Sequence, residues 1–417
     1  MKLLLVNTNC YRRPPVPPLG LEYLAAALAK SDHECRVLDL CFSDDPIDDL
    51  GSEVERFSPD LAGLTVRNID TVLRWNNEFF LDDIRILVSV LGAAGVPVII
   101  GGAGYSFIPE GIRRFLGADY GLFGPGEIAL PRFLDRFADG QPRRGTLVDG
   151  WEAGIDPECT PDRECAVDND RYVREGGLLG FETQKGCSTR CPYCAEGRGS
   201  VLFRNPERVA DEVAGLARRG YTDFHLCDTE FNQDLSHCRA VLEALIRKAP
   251  GIRWTLYLKT APVEKELFRL LARSGAHLVT VSTPTGHDDM RHLRRIRRFT
   301  RAHGIRLAVD YLCGLPGDTP DSVRLDIETL RAIEPDTVGV NSSIRLFPGL
   351  EVTEQILSDP ASEQWLSLPF RRTSDLIRPA FYTRITVEML RDFIGGDPRF
   401  TIEGFAQTSN YERLKGG

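Results

Sequence analysis

Short apolar runs alternate with helix-periodic segments along most of this 417-residue chain, and that alternation constrains its fold more than any other feature. Within residues 1–145 the runs predict strands at 3–6, 35–40, 61–66, 97–100 and 120–123. The alternation resumes at Phe181, where strands are expected near 180–184, 223–227, 254–258, 278–282, 306–312 and 337–341. Strands separated by helices form parallel βαβ units, so the pattern predicts an α/β protein that begins with an open, doubly wound sheet.

The same pattern divides the chain into four parts. Residues 1–145 and 180–350 carry the two βα stretches. Residues 146–179 are rich in Asp, Glu, Gly and Arg without periodicity and are predicted to be a linker. Residues 351–417 are too few to form a core alone, so we expect them to cover the open side of the preceding part as a cap.

Composition excludes several classes of protein. A hydrophobic content of 42% with 27% charged residues is ordinary for a globular chain. A formal net charge of −9 argues against nucleic acid as the main partner. The longest internal apolar stretch, residues 86–100, is broken by Gly92, Gly95 and Pro97, so no membrane span is predicted.

Three cysteines follow the first strand of the second βα stretch at a C-x₃-C-x₂-C spacing: Cys187, Cys191 and Cys194. Three thiolates from one short loop can hold three corners of a [4Fe-4S] cluster and leave one iron open. A zinc site is the alternative, but it would need a fourth Cys or His at matching spacing, and none follows. The chain has eleven cysteines, three of them in a loop that oxygen would destroy, which fits a reducing cytoplasm rather than a disulfide framework.

The cysteine loop closely resembles that of the radical S-adenosylmethionine (SAM) enzymes, in which SAM chelates the open iron. The turn Cys313-Gly-Leu-Pro-Gly-Asp-Thr319 is very similar to the G-L-P-G-E-T turn of members that also use cobalamin. The chain is therefore identified as a member of the class B radical SAM family, with a resemblance that covers roughly residues 1–350. The resemblance implies a Rossmann-like cobalamin-binding domain followed by a partial (βα)₆ barrel, with a [4Fe-4S] cluster, SAM and cobalamin as cofactors.

The resemblance also assigns SAM contacts near the cysteine loop. Tyr193, just before the last cysteine, is implied to support the SAM adenine. Asp228 or Glu230, at the end of the second barrel strand, is expected to accept hydrogen bonds from the SAM ammonium group, with a solvated turn as the alternative.

Later barrel strands depart further from the family pattern. The fourth strand lacks the usual carboxylate, so a hydroxyl of Ser282, Thr283 or Thr285 is expected to bind the SAM ribose in its place. In the turn after the fifth strand, Gly314 and Pro316 are implied to let the backbone pack against adenine.

Two residues are candidates for catalysis. Arg345, after the sixth strand, is expected to meet the SAM carboxylate or a substrate anion, unless it belongs to a structural ion pair. Tyr382 lies in a segment similar to one that follows the barrel in related enzymes. It could reach substrate, or it could be a hydrogen-bonded packing tyrosine.

Cobalamin contacts are implied in loops after strands of the first part, at Gly101, Gly102, Gly126 and Glu127. The usual Asp-x-His-x-x-Gly motif is absent, so cobalt would have no histidine ligand. Arg67 or Asn68 is then the residue expected beneath the corrin, where a cation would discourage water from coordinating. The alternative is a domain that keeps the fold but has lost the cofactor.

Together these assignments predict a cobalamin-dependent radical SAM methyltransferase. It would methylate an unactivated carbon, or phosphorus, of a small biosynthetic metabolite by way of a 5′-deoxyadenosyl radical and methylcobalamin. The alternatives are a radical cyclase, oxidase or rearrangement enzyme with the same cofactors, and a non-catalytic cobalamin or redox sensor. The expected partners are a small-molecule substrate and an electron donor such as flavodoxin or ferredoxin.

Overall fold

A computed structural model describes residues 1–164, 167–197, 199–284, 287–367 and 376–404, with only the backbone described at 287 and 288. The chain divides into two compact units. The first comprises residues 1–71 and 78–180, and the second comprises residues 72–77 together with the chain from Phe181 onward. Within the described ranges, no helix is both long enough and apolar enough to cross a membrane.

The first unit is built around a parallel sheet in the strand order β2-β1-β3-β4-β5-β6. Its strands are β1 (Lys2–Asn7), β2 (Glu34–Asp39), β3 (Leu61–Thr65), β4 (Val98–Gly101), β5 (Tyr120–Phe123) and β6 (Leu147–Asp149). Its helices are α1 (Leu19–Leu28), α2 (Pro46–Phe57), α3 (Leu81–Ala93), α4 (Pro109–Leu116), α5 (Ala129–Ala138), α6 (Gly150–Ala153) and α7 (Asn169–Arg174).

The central strand β1 explains why this sheet is doubly wound. Leu3, Leu4, Leu5 and Val6 are all at most 2% exposed, as expected for a parallel strand with helices on both faces. The chain passes from β1 to β2 on one side and then places β3 on the other side of β1. The strand order therefore reverses between β1 and β3, and open sheets of this kind bind ligands outside the carboxyl ends of their strands at such a point.

The predicted linker is part of the first unit. Residues 147–149 form β6 at the edge of the sheet, and α6 and α7 follow. The segment is fastened by the Glu22 carboxylate of α1, which is fully buried and accepts hydrogen bonds from Arg163 Nη1 and Asn169 Nδ2, both at 2.7 Å. A three-residue strand is too short to produce a readable period, so the sequence indicated only an irregular segment.

The second unit contains the βα repeat that the sequence predicted. Its strands are β7 (Leu179–Phe181), β8 (Gln184–Lys185), β9 (Leu202–Phe203), β10 (Asp223–Leu226), β11 (Arg253–Leu258), β12 (Ala276–Pro284), β13 (Arg306–Leu312), β14 (Thr337–Asn341), β15 (Ile344–Arg345), β16 (Phe381–Tyr382) and β17 (Phe400–Ile402). Its helices are α8 (Pro206–Arg218), α9 (Leu235–Lys248), α10 (Lys265–Arg273), α11 (His287–Ala302), α12 (Pro320–Ile333), α13 (Glu351–Ser358) and α14 (Val387–Ile394).

The main sheet of this unit has the order β17-β14-β13-β12-β11-β10-β7. Six of these strands are those of the predicted partial barrel. The seventh, β17, comes from the predicted cap and pairs in parallel with β14, Val338 opposite Phe400. The cap also reaches the cysteine loop, since the Val352 amide of α13 donates to the Pro192 carbonyl at 3.2 Å. The segment after residue 350 therefore completes the sheet as well as covering part of it.

Candidate active site

The three cysteines lie in the loop between β8 and β9, with Cys187 buried and Cys191 and Cys194 half-buried. The Cys187 sulfur accepts from the Thr189 amide at 3.4 Å and from Gln233 Nε2 at 3.2 Å. Donors of this kind stabilise a thiolate, which is the form that binds iron. Burial raises the pKa of Cys194 to about 11, so iron must displace a proton as it binds there.

Across the described ranges, no three Cys, His, Asp or Glu side chains converge to hold a metal ion. The fit of the loop to an iron–sulfur cluster therefore rests on its donor set, three thiols on one loop with N–H donors already on the first.

Acidic and basic side chains surround the cysteine loop. Glu230 Oε2 lies 3.8 Å from the Cys187 sulfur, and burial raises the pKa of this carboxyl to about 7 against the opposing effect of Lys259. The Lys259 ammonium in turn lies 3.1 Å from Gln233 Oε1 and 3.3 Å from Ser188 Oγ. The mouth of the barrel is thus polar and close to the first cysteine.

The barrel strands alternate between a face covered by helices and an accessible inner face. On β13 the Tyr311 hydroxyl donates to Asp326 Oδ2 of α12 at 3.1 Å, which identifies the covered face. Asp310 precedes Tyr311 and projects to the opposite, inner face. The parallel register places Ser282 of β12 directly beside Asp310, and Ser282 is exposed although its neighbours on β12 are buried.

An apolar wall stands beside the same mouth. Tyr193 packs with Leu312 and Leu315 against a buried cluster that includes Ile344 and Leu346.

The backbone beside this wall passes through Gly314, at φ +83°. A Cβ on this residue would lie 2.4 Å from the Ser342 carbonyl oxygen. Only glycine therefore allows the turn after β13 to come this close to the backbone at Ser342.

In the first unit, loops at the carboxyl ends of β3, β4 and β5 meet one another. The Gly104 amide donates to the Val66 carbonyl at 3.0 Å, and a Cβ on Gly102 would lie 2.5 Å from the same oxygen. The Ser106 hydroxyl donates to the Gly102 carbonyl and accepts from the Gly124 amide, both at 2.9 Å. These loops therefore form a surface of backbone atoms at the carboxyl edge of the first sheet, near the point where the strand order reverses.

Comparison with known proteins identifies both units. The B12 binding domain family matches residues 11–134, and the radical SAM superfamily matches residues 181–330. The tryptophan 2-C-methyltransferase of Streptomyces laurentii is 25% identical over 84% of this chain and 74% of its own length. The cytidylyl-2-hydroxyethylphosphonate methyltransferase of Streptomyces wedmorensis is 22% identical over 76% of this chain and 73% of its own.

A solved structure shows the same likeness over almost the whole chain. TsrM from Kitasatospora setae, a radical SAM methyltransferase with tryptophan substrate and a SAM analogue bound, superposes with a TM-score of 0.88 at 26% identity. The match covers 98% of this chain and 93% of that one. A second TsrM structure, with cobalamin and a [4Fe-4S] cluster bound, gives a TM-score of 0.83. The chain combines a B12-binding domain with a radical SAM domain and is homologous to the cobalamin-dependent radical SAM methyltransferase TsrM.

One buried polar group at the carboxyl edge of the first sheet suits a bound cobalamin. Gly102 and Gly104 are themselves explained by packing between loops, because a Cβ on them would lie 2.5 Å and 2.9 Å from the carbonyl oxygens of Val66 and Arg67. Asn9, in the loop after β1 at this edge of the sheet, has a buried Nδ2 atom with no hydrogen-bond partner among the described residues. A ligand acceptor would satisfy that amide.

The predicted cobalamin residues divide into two groups. Arg67 is half-buried and Asn68 exposed in the loop after β3, and the Asn68 side-chain oxygen accepts from Arg67 Nη1 at 3.2 Å when its amide is oriented to satisfy both groups. This pair stays a prediction for the corrin face. Gly126 is explained by packing, because a Cβ there would lie 2.8 Å from Leu24 of α1. Glu127 beside it is only 5% exposed.

Two predicted residues, Asp228 and Arg345, are engaged in the framework of the second unit. The buried Asp228 carboxylate accepts from the Thr183 amide at 2.7 Å and from the Thr183 hydroxyl, which ties the end of β10 to the chain after β7. The Arg345 guanidinium is buried and donates to the carbonyls of Leu346, Leu376 and Ile377, at 2.7 Å and 2.8 Å for the last two. These contacts give Asp228 and Arg345 roles in the framework: Asp228 is buried rather than part of a solvated turn, and Arg345 is held by backbone carbonyls.

Tyr382 is also buried within the second unit. It is 2% exposed, lies in β16, and packs in the same apolar cluster as Ile344 and Leu346. Its hydroxyl interacts with Ser362, and burial raises its pKa. This environment favours the packing alternative over contact with substrate. Thr285, one of the hydroxyls considered for the ribose, lies outside the described residues.

Sequence reasoning did not single out Gln233, Lys259 or Asp310. Gln233 and Lys259 each lie more than 40 residues from the cysteines that they adjoin, and no local motif marks them. Asp310 precedes the recognisable turn at Gly314, and its position beside Ser282 depends on strand register. The one available signal was an acidic residue inside the predicted strand at 306–312.

Proposed function

We propose that this protein transfers a methyl group from SAM, by way of cobalamin, to a ring carbon of a small aromatic amino acid, with tryptophan as the first substrate to test. One observation carries the proposal. The likeness to TsrM extends through both units and the C-terminal segment, and the solved TsrM structure contains tryptophan. A shared barrel alone would support only SAM chemistry, whereas likeness over 98% of the chain supports a shared substrate class.

The proposed acceptor is an electron-rich ring carbon. The curated Streptomyces laurentii relative methylates tryptophan at position 2, which is part of the indole ring. This narrows the range of carbon and phosphorus acceptors that the family resemblance allows.

When bound, the cluster supplies an iron site for SAM and the cobalamin supplies a methyl carrier. The chain itself holds the cluster through Cys187, Cys191 and Cys194. The loops after β3, β4 and β5 of the first unit would bind cobalamin, and Arg67 would be the residue that faces the corrin.

The inner face of the barrel offers a surface for an aromatic amino acid. Tyr257 is half-buried, and its ring meets that of His225 edge-on at 6.0 Å. His225 Nδ1 lies 2.8 Å from Thr255 Oγ1, which fixes the orientation of the imidazole. Aromatic edges and faces bind another ring favourably, and the polar atoms beside them can orient its amino acid group.

Product analysis with isotopes tests this proposal. The protein is reconstituted anaerobically with iron, sulfide and hydroxocobalamin, then supplied with reductant, SAM carrying a CD₃ methyl group, and tryptophan. We expect a product that gains one CD₃ group. Tryptophan deuterated at indole C2 should lose its deuterium in the same reaction. Cys191→Ala, treated identically, serves as the negative control.

The possible negative results of this experiment distinguish the alternative functions. If SAM is cleaved to 5′-deoxyadenosine and the substrate changes without gaining CD₃, the protein catalyses a cyclisation, oxidation or rearrangement. If CD₃ appears in another amino acid or a phosphonate but not in tryptophan, methyl transfer stands and the proposed substrate class is wrong. Flavodoxin and dithionite, compared as reductants, test the predicted protein electron donor.

A further inference from the structure

The solvent side of α11 carries positive charge along most of its length. Between Met290 and Ala302 the helix has six arginines and no acidic residue. Its apolar residues Leu293, Ile296 and Phe299 are at most 8% exposed, so they are the side that packs on the barrel. Five of the arginines are exposed, and together they are called the arginine face: Arg291, Arg294, Arg295, Arg298 and Arg301.

The fold does not explain this charge. Among the described residues, no acidic side chain pairs with Arg294, Arg295 or Arg298. Arg294 and Arg298 are four residues apart, a spacing at which like charges repel and weaken a helix. On α4 and α10, by contrast, Glu110 and Glu266 pair with arginines of the same helix. Neither packing nor helix stability therefore accounts for the arginine face.

A groove between α11 and α12 extends this surface. Its volume is about 500 Å³, and it is lined by Arg294, Arg297, Arg298 and Arg301 of α11 and by Ala332 and Ile333 of α12. Two carboxylates that follow α12 are already engaged, since Asp336 accepts from Arg297 at 2.7 Å and Glu334 accepts from Arg301 at 2.8 Å. The surface therefore stays positive in a chain whose formal net charge is −9. An acidic partner would be attracted to this face and repelled by the chain as a whole.

The first turn of α11 is connected to the cysteine loop. Asp289 Oδ1 accepts from the Thr260 hydroxyl at 2.7 Å. Lys259, the residue before Thr260, places its ammonium 3.3 Å from Ser188 Oγ, next to Cys187. The sixteen residues of α11 span about 24 Å, whereas a globular protein of about 150 residues is about 40 Å across. A protein seated on the arginine face is therefore large enough to reach the cysteine loop.

We propose that the arginine face and its groove dock a small acidic electron-carrier protein of the flavodoxin or ferredoxin type. The inference rests on the proposed function, which needs electrons from outside the chain because cobalamin accepts a methyl group from SAM only as Co(I). In each encounter the carrier loses one electron and a cofactor of this protein gains it, and no group is transferred. A protein is favoured over nucleic acid because the stripe is only about 24 Å long on an acidic chain.

Direct binding tests the surface without any methyl transfer. Oxidised bacterial flavodoxin is titrated into the reconstituted protein by calorimetry, at about 50 mM and about 300 mM salt. We expect binding at low salt that weakens at high salt. Arg294→Glu combined with Arg298→Glu should weaken it about 10-fold or more at low salt. The matched control is Arg132→Glu with Arg136→Glu, two exposed arginines four residues apart on α5, and it should bind as the wild type does.

Electron delivery gives a second readout. With reduced flavodoxin as the only reductant, the Arg294→Glu/Arg298→Glu variant should form methylated product about 10-fold more slowly than the wild type. With dithionite, which needs no protein docking, the two should react equally. Equal melting temperatures would show that the variant is folded. If it is not, Arg294→Ala with Arg298→Ala should give a smaller loss of flavodoxin affinity in the same direction.

Three results would overturn the assignment. The first is equal flavodoxin affinity in the wild type and the α11 variants, and the second is an equal loss in the α5 control. The third is salt-dependent binding of a DNA or RNA duplex through these arginines by a wild type that does not bind flavodoxin. A wild type that binds flavodoxin through α11 but forms no methylated product with either reductant would instead count against the proposed function alone.

Discussion

Gly314 is a residue where the barrel backbone closely approaches its neighbours, beside the apolar wall of Tyr193, Leu312 and Leu315. It combines a left-handed φ of +83° with a Cβ position 2.4 Å from the Ser342 carbonyl and 3.0 Å from Thr383 Oγ1. Gly317, in the same turn, has φ +94° but open space around its Cβ position. Comparing Gly314 with Gly317 therefore distinguishes the cost of a left-handed φ from the cost of a steric clash at Cβ.

Substituting each glycine by alanine should therefore have unequal effects. Gly317→Ala costs only the left-handed strain, about 1–2 kcal/mol. Gly314→Ala adds the steric conflict and should cost about 1–3 kcal/mol more. Urea unfolding of the two variants measures the difference, and equal costs would contradict the close approach at Gly314.

The cysteine loop gives the second prediction at this scale. Reconstituted wild type should carry about four iron and four sulfide per chain, and Ala at Cys187, Cys191 and Cys194 together should abolish both. Cys35→Ala, in the first unit, is the matched control and should load normally. Iron and sulfide analysis checks the result, and reductive SAM cleavage by the triple variant would refute the assignment.

Arg67 carries the third prediction. Its guanidinium stays charged, so beneath the corrin it would oppose coordination of water to cobalt. Protein supplied with hydroxocobalamin and desalted should retain it without a histidine ligand. Arg67→Leu should then show changed water occupancy in the EPR spectrum of the reduced Co(II) form. Retention with unchanged cobalt coordination would remove Arg67 from the site, and no retention would favour an empty domain.

The residues of the site differ in how far sequence could locate them. The cysteines were readable because their spacing on one loop is local. Asp228 and Arg345 were not, because the groups that satisfy them, Thr183 and the carbonyl of Leu376, lie 45 and 31 residues away. The sequence does not distinguish a polar residue near a strand end that contacts a ligand from one that hydrogen-bonds to the rest of the fold.

At the scale of elements, long periodic segments were predictable and short edge strands were not. The buried runs of β1 and β13 were anticipated almost to the residue. β6 and β17 have three residues each and join sheets through pairing partners that are distant in sequence. Such short segments become strands because they pair with a neighbouring strand, and their local sequence propensity does not reveal this.

The segment predicted as a linker offers a test at this scale. Glu22 of α1 and Arg163 form a buried ion pair at 2.7 Å, whereas Lys30 and Asp156 form an exposed one at 3.5 Å between the same two segments. Glu22→Gln leaves a buried guanidinium without its counter-charge and should cost about 3–5 kcal/mol. Lys30→Ala should change stability by less than about 0.5 kcal/mol. Chemical unfolding compares them, and similar costs would show that the buried pair does not fasten the segment.

At the scale of the whole molecule, two histidines should lower stability on mild acidification, whereas the buried carboxyls of Asp228 and Glu230, whose pKa burial raises to about 7, act in the opposite direction. Burial lowers the pKa of His237 and of His277, so the unfolded chain takes up protons near pH 6.5 where the folded chain resists them. Stability from these groups is therefore full above that pH and declines below it. Relative to a variant without these histidines, the melting temperature of the wild type should drop between about pH 7.5 and about pH 5.5.

Replacing both histidines by asparagine should flatten this pH dependence, even if the variant is less stable at neutral pH. His292→Asn controls for the loss of a histidine from α11. Melting curves at the two pH values provide the measurement, and an undiminished slope in the double variant would assign the acid sensitivity to other groups.

The strand order of the second unit also has a consequence for synthesis. β14 receives its outer neighbour only from residues 400–402, about sixty positions after β14 itself has been made. Until then the emerging polypeptide presents an unpaired edge of buried-type residues such as Val338 and Val340, the kind of surface on which nascent chains associate. If translation stops before residue 400, the released chain has a barrel sheet whose β14 edge is unpaired. The yield of folded protein should therefore depend on the last strand, although that strand lies far from the cysteine loop in sequence.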